Sequence, residues 1–133
     1  MARDYRRLRV FQEAHELTIA IYKETQAFPR AEWFGIRAQI RRAAVSIPTN
    51  IVEGSARLGT RENLNFLNIA RGSAAEVGYL VQLASELGYL STGGSESLRR
   101  KCGELLPQLE LLVQKTESLM RAERDGSGPK ARG

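Results

Sequence analysis

One histidine, one cysteine and a run of arginines are the side chains of this 133-residue sequence with the most capacity for chemistry. His15 stands in a helical apolar pattern, two positions after Glu13. That spacing is too short for the Glu-x-x-His pairs with which helical bundles hold two metal ions. No serine or cysteine motif accompanies it as a nucleophile–base pair, so His15 is expected as a packed or hydrogen-bonded core side chain. Cys102 falls on the apolar seam of the last helical segment and is expected as an inert core thiol. "GSARLGT", Gly54 to Thr60, contains glycines but lacks the lysine and the length of a phosphate-binding loop. The sequence therefore offers no catalytic residue, no cofactor site and no metal site. Enzyme is the weakest functional class.

The arginines point elsewhere. Arg37, Arg41, Arg42, Arg57, Arg61 and Arg71 form a locally basic stretch opposed only by Glu53 and Glu62. With Arg6 and Arg7 near the start of the chain they are the candidate contacts to RNA or other nucleic acid. Tyr5 and Trp33 lie near arginines, where aromatic rings can stack on unpaired bases. A competing expectation is that Arg37 and Arg41 pair with acids across an interface, that Glu53 balances Arg42 or Arg57, and that Trp33 covers a bundle end. The formal charge of +5 resides at the two ends of the chain, because residues 10–120 hold 12 basic and 12 acidic groups. Such ends serve solubility or weak electrostatic steering.

The length fits one domain with a real core. A single cysteine allows no disulfide within the chain, and the first residues lack the apolar run of a secretory signal. No apolar stretch approaches the roughly 18 residues of a membrane span. A soluble, cytoplasmic protein with no membrane partner and no small-molecule substrate is expected.

Apolar periodicity is helical nearly throughout and shows no sustained alternation. The first segment places Leu8, Phe11, His15, Thr18 and Tyr22 on one face and ends at "FPR", Phe28 to Arg30. The second runs from about Ala31 to Arg57. The third starts after Thr60 as N-cap and continues to Leu87, with Gly88 as its stop. "STGGS", Ser91 to Ser95, reads as a turn, with Ser95 capping the fourth segment. There Leu98, Cys102, Leu105, Leu109, Leu112, Thr116 and Leu119 follow the spacing of a bundle seam, and Pro107 sits opposite it. The expected fold is all-α: an up-down-up-down antiparallel four-helix bundle over residues 10–124, with a basic N-terminal arm over 1–9 and a disordered tail over 125–133.

The second helix is apolar on two sides. At 100° per residue, Ile36, Ile40, Ala43, Ala44, Ile47, Ile51 and Gly54 share a broad inward face. Nearly opposite lie Ala38, Val45 and Val52, with Pro48 beside them. Two apolar faces need two apolar neighbours, so Ala38, Val45, Pro48 and Val52 are the candidate oligomer interface. Pro48 removes the hydrogen bond its nitrogen would have donated to Ala44. Because the inward pattern keeps phase across it, the helix is expected to bend, the alternative being a true break with Ser46 capping a new segment that begins Ile47-Pro48. In the third helix Ala70, Gly72, Ser73, Ala74, Ala75 and Gly78 are small, which suits close packing within or between subunits.

At "YRRLRVFQEAHEL", "FPRAEWFGIRAQIRRAAVSIPTNIVEGSAR" and "FLNIARGSAAEVGYLVQLASELGYL", the chain resembles the bacterial four-helix-bundle family of proteins encoded in intervening sequences of 23S ribosomal RNA genes. The resemblance covers Tyr5 to Leu90, and the fourth helix matches only in kind. Phe11 stands where many members have tryptophan, and Val52 where alanine is usual. The resemblance implies a homopentamer of up-down bundles and no established enzymatic activity, with RNA or DNA binding as the family's proposed role. Two functions are thus in view: an oligomer that binds nucleic acid through basic surface, and a protein-interaction scaffold.

Overall fold

The computed structural model describes residues 4–126, whose regular structure is all helical with no strand among them. The helices are α1 (Arg9–Glu24), α2 (Ile36–Ser55), α3 (Thr60–Glu86) and α4 (Thr92–Asp125), with short 3-10 turns at Tyr5–Arg7 and Arg30–Glu32. Each helix packs on the next, and α4 returns to α1, so the four enclose one core. Successive helices run antiparallel. Thr25 meets Arg41 across the first connection, Gly54 faces Asn63 and Phe66 across the second, and Ser85 bonds Ser95 across the third.

The core side of α2 is the one expected: Ile36, Ile40, Ala43, Ala44, Ile47, Ile51 and Gly54 are all buried. At Gly54 a Cβ would come within 3.0 Å of Phe66 Cβ and 2.8 Å of Asn63 Oδ1, so glycine lets α2 and α3 approach there. The helix continues through Pro48 without interruption. A proline leaves the carbonyl four residues earlier without its amide donor, and a buried orphan carbonyl costs about 1–3 kcal/mol. Ala44 is fully buried. Its carbonyl accepts from Thr18 Oγ1 of α1 at 3.1 Å, while the same hydroxyl lies 2.8 Å from the Ala14 carbonyl of its own helix. Pro107 in α4 needs no such arrangement, since it and Gly103, whose carbonyl it frees, are exposed to water.

Several expectations are corrected. The buried stripe of α1 is Val10, Ala14, Leu17 and Ile21, not the Leu8–Phe11–His15–Thr18–Tyr22 face. That face lies one position around the helix, turned partly toward α2, where Thr18 does its work. The second helix begins at Ile36, because Arg30–Glu32 form a separate 3-10 turn and Gly35 intervenes with non-helical torsions. "STGGS" is not a turn. Ser91 caps α4 by accepting from the Gly94 amide at 3.0 Å, which draws both glycines into the first turn of the helix. At the start of α3, Gly59 is the N-cap and Thr60 the first helical residue, with Glu62 in the first turn. Gly88 does stop α3, with φ of 77°.

The α4 seam holds through Leu98, Cys102, Leu105 and Leu109 and then passes to Val113 and Thr116, leaving Leu112 half-buried and Leu119 exposed. A straight helix of 3.6 residues per turn drifts from a 3.5-residue repeat by about 20° per heptad, which accounts for the change. Asp125 and Gly126 close α4, Gly126 in the left-handed region at φ 69°. The remainder of the expected tail and the first three residues lie outside the described residues.

Thr18→Val is expected to lower stability by about 1–3 kcal/mol, because the Ala44 carbonyl then has no donor. The same change in a Pro48→Ala background, where the alanine amide bonds Ala44 internally, should cost clearly less. Urea unfolding of the four variants measures the coupling.

Candidate nucleic-acid interface

The eight candidate arginines do not form one patch. They divide between the two ends of α2, about 30 Å apart for 20 residues at 1.5 Å each, with two more along the sides. At the α1–α2 corner, Arg41 donates from Nε to Thr25 Oγ1 at 2.9 Å and from Nη2 to the Tyr22 carbonyl at 3.1 Å. Its guanidinium also lies 4.5 Å from the Tyr22 ring centre. Arg41 is thereby a cap on the last carbonyls of α1, where a cation suits the negative end of the helix. Burial, and then the neighbouring charge of Arg37, pull the Arg41 guanidinium below its ordinary pKa.

Arg37 stands over the Trp33 ring at 4.4 Å, and Arg30 over the same ring at 5.3 Å. Trp33 Nε1 donates to the Phe28 carbonyl at 3.2 Å. Trp33 is therefore engaged by two cations and the backbone of its own chain. Beside it Phe34 is 97% exposed. Arg30 and Phe34 are not among the residues that charge spacing singles out. Their signal is present in "FPRAEWFGIR", but it is hidden when that stretch is read as the start of a helix that in fact begins later.

At the other end, Arg6 pairs with Asp4 at 3.3 Å, and Arg57 reaches Glu53 at 3.9 Å and the Phe66 ring at 4.9 Å. Arg7 belongs to the Tyr5–Arg7 turn, and its side chain lies outside those described. Arg61 is exposed in the first turn of α3, and Arg42 is exposed midway along α2. Neither makes an ion pair among the described residues. Arg71 faces α4, where it donates to Glu110 Oε1 at 2.9 Å and to Asn68 Oδ1 at 2.9 Å. Tyr5 packs edge-on against Phe11 with ring centres 4.9 Å apart.

The proposed interface residues lie where the circumference of α2 puts them. Val45 is 39% exposed, and Ala38, Pro48 and Val52 are half-buried. The polar wedge beside them is joined to α3: Ser46 and Ser73 hydroxyls are 2.8 Å apart, and Asn50 Nδ2 donates to the Ser46 carbonyl at 2.7 Å. Of the small α3 residues, Ala70 and Ala74 are buried, whereas a Cβ at Gly72 or Gly78 would meet open space. Those two glycines are not required by packing inside this chain.

His15 is exposed, contrary to the core expectation, and stacks on Phe11 with ring centres 6.0 Å apart. It borders a cleft of about 440 Å³ shared with Lys23 and Lys101. Among the described residues no three His, Cys, Asp or Glu side chains gather as a metal site, and no helix is long and apolar enough to cross a membrane. Cys102 is buried on the seam, and burial pushes its thiol up to about 11.

A sequence model of the family described as 23S rRNA-intervening sequence protein matches residues 6–110, which carries the match well into α4. Among solved structures, the chain is similar to a crystal structure of a protein with unknown function from the S23 ribosomal protein family of Bacteroides thetaiotaomicron VPI-5482. The two are 24% identical, the match covers 79% of this chain and 95% of that one, and the TM-score is 0.72. That likeness shows a shared fold. No curated protein matches the chain.

The raised thiol carries its own test. Thiolate forms in the unfolded chain near pH 9 but in the folded one only near 11. The contribution of Cys102 to stability is therefore intact below about pH 9 and falls as pH rises toward 11. Alkylation of Cys102 at pH 8 is expected to be slow in the folded protein and to reach the rate of an ordinary thiol in denaturant.

Proposed function

The chain belongs to the 23S rRNA-intervening sequence protein family, and we propose that it acts without enzymatic chemistry, as a bundle that assembles with copies of itself. One observation carries this. Helix α2 buries a complete face in its own core, yet it also presents Val45, with half-buried Ala38, Pro48 and Val52, on the outside. An apolar strip of that kind on a helix already satisfied inside suits an isologous or ring contact between copies. The pentamer implied by the family resemblance is the proposed assembly.

Glutamate at both Val45 and Val52 would place two charges in the contact without touching the core. The double variant Val45→Glu, Val52→Glu is expected to be monomeric by light scattering and unchanged in helical circular dichroism, against a larger wild-type particle. A wild type that is already monomeric would refute the assembly.

Nucleic-acid binding is the second reading. It is favoured by Arg42 and Arg61, which are exposed and have no ion pair among the described residues, and by the formal +5 of each chain. Assembly multiplies that charge, and a summed positive field recruits polyanions without base specificity. Arg41 and Arg71, occupied within the chain, serve the fold in this scheme. Binding of a structured RNA should weaken steeply between about 50 and 200 mM salt. Arg42→Ala with Arg61→Ala should lower the log–log slope by roughly one for each phosphate that is no longer neutralised. An affinity indifferent to salt would contradict it. Protein partners that survive nuclease treatment of a native purification would favour a scaffold instead.

A further inference from the structure

The α1–α2 corner combines features found nowhere else among the described residues: an almost wholly exposed aromatic ring beside cations that no carboxylate neutralises. Phe34 is 97% exposed, whereas Phe28 is buried and Phe11 and Phe66 are half-buried. Covering a water-facing phenylalanine would gain the transfer of a large apolar side chain, so this ring is available to an occupant. The backbone around it is held. Gly35 N donates to the Glu32 carbonyl at 3.1 Å, and the Gly35 carbonyl accepts from Gln39 N at 3.0 Å in the first turn of α2.

Charge selects the occupant. Arg30 and Arg37 form no ion pair among the described residues and are fixed instead on the two-ring system of Trp33. The one acid of the connecting segment, Glu32, is directed inward. It accepts from Tyr89 Oη at 2.9 Å and from Ile36 N at 3.4 Å. The corner therefore shows a bare aromatic ring next in sequence to Trp33, on which two guanidiniums with spare donors lie. A second protein surface would have to bring both an apolar pocket and acids. A single nucleic-acid strand brings a flat base and phosphates in one unit, and base–aromatic stacking with arginine–phosphate contact is how such strands are held.

We propose that Phe34 is a stacking platform for an unpaired base, with Arg30 and Arg37 contacting the adjoining phosphates, so that this corner binds single-stranded nucleic acid in preference to duplex. This rests on the nucleic-acid reading above and adds to it a location and a strand preference. Trp33 takes no base itself, because its ring is already covered. It reports on the site, being the one tryptophan of the chain.

The test is a titration of the full-length protein with a short oligouridylate and with an RNA duplex of the same length, followed by Trp33 fluorescence and by anisotropy of labelled RNA. The wild type should bind the single strand more tightly and change its Trp33 emission. Phe34→Ala and Phe34→Leu should each weaken single-strand binding about tenfold or more while leaving duplex binding unchanged, and Phe34→Tyr should retain it. Phe34 is outside the core, so these variants should melt as the wild type does. Retained affinity in Phe34→Leu would overturn the proposal, since an apolar side chain without a π-face would then suffice. A fall in oligomer mass on Phe34→Ala would overturn it too, by making Phe34 a contact with another copy. Equal binding of both RNAs, unaffected by Phe34, would remove the platform but leave the general nucleic-acid reading standing. Binding of neither RNA at low salt would end both.

Discussion

The carbonyl of Ala44 is the point on which this architecture turns. Pro48 deprives it of its helical donor in a fully buried position. An unsatisfied acceptor there would favour a break, with Ser46 free to cap a new segment. Thr18 of α1 provides the donor instead. The contact, which shares the hydroxyl proton with the Ala14 carbonyl, links two helices; α2 stays in one piece across Pro48, and Ile36 through Gly54 remain in phase as a single buried face. That continuity also keeps Ala38, Val45 and Val52 in phase on the opposite side. A broken helix would rotate one half of that outer strip away from the other.

The polar groups around α2 follow the same logic. Arg41 finishes α1, Ser46 ties α2 to Ser73 of α3, and Glu53 meets Arg57 at the far end. A basic stretch in one dimension thus becomes a set of helix-end and helix-pair contacts in three. Of that stretch, Arg42 and Arg61 stay on the surface without an ion pair among the described residues, and Arg37 lies with Arg30 on the Trp33 ring.

Much of this is legible in the residues. The inward face of α2 is seven apolar or small positions in unbroken helical phase, and every one is buried. The stop of α3 at Gly88 needs only a residue tolerant of positive φ. The face of α1 is easily misread because Phe11, His15 and Tyr22 look like core by size, while small Ala14 does not; yet Ala14 is fully buried. Thr18 falls on that same face as one more periodic residue. Its role depends on a carbonyl 26 positions away, which no local pattern contains. "STGGS" fails as a turn for a different reason. Glycine lowers helix propensity by up to about 1 kcal/mol, but the Ser91 cap and the packing of the long helix that follows outweigh it. The arginine partners, too, come from tertiary neighbours such as Glu110 and Thr25, and charge spacing alone does not disclose them.

Continuity of α2 is therefore the claim that supports the rest, and native-state amide hydrogen exchange addresses it most directly. If Thr18 holds the helix together across Pro48, the amides of Ile40 to Ile47 and those of Ile51 to Gly54 should exchange with the same protection, opening as one unit at the free energy of global unfolding. Exchange of the segment after Pro48 orders of magnitude faster than the segment before it would show two independent pieces, and would contradict a continuous α2.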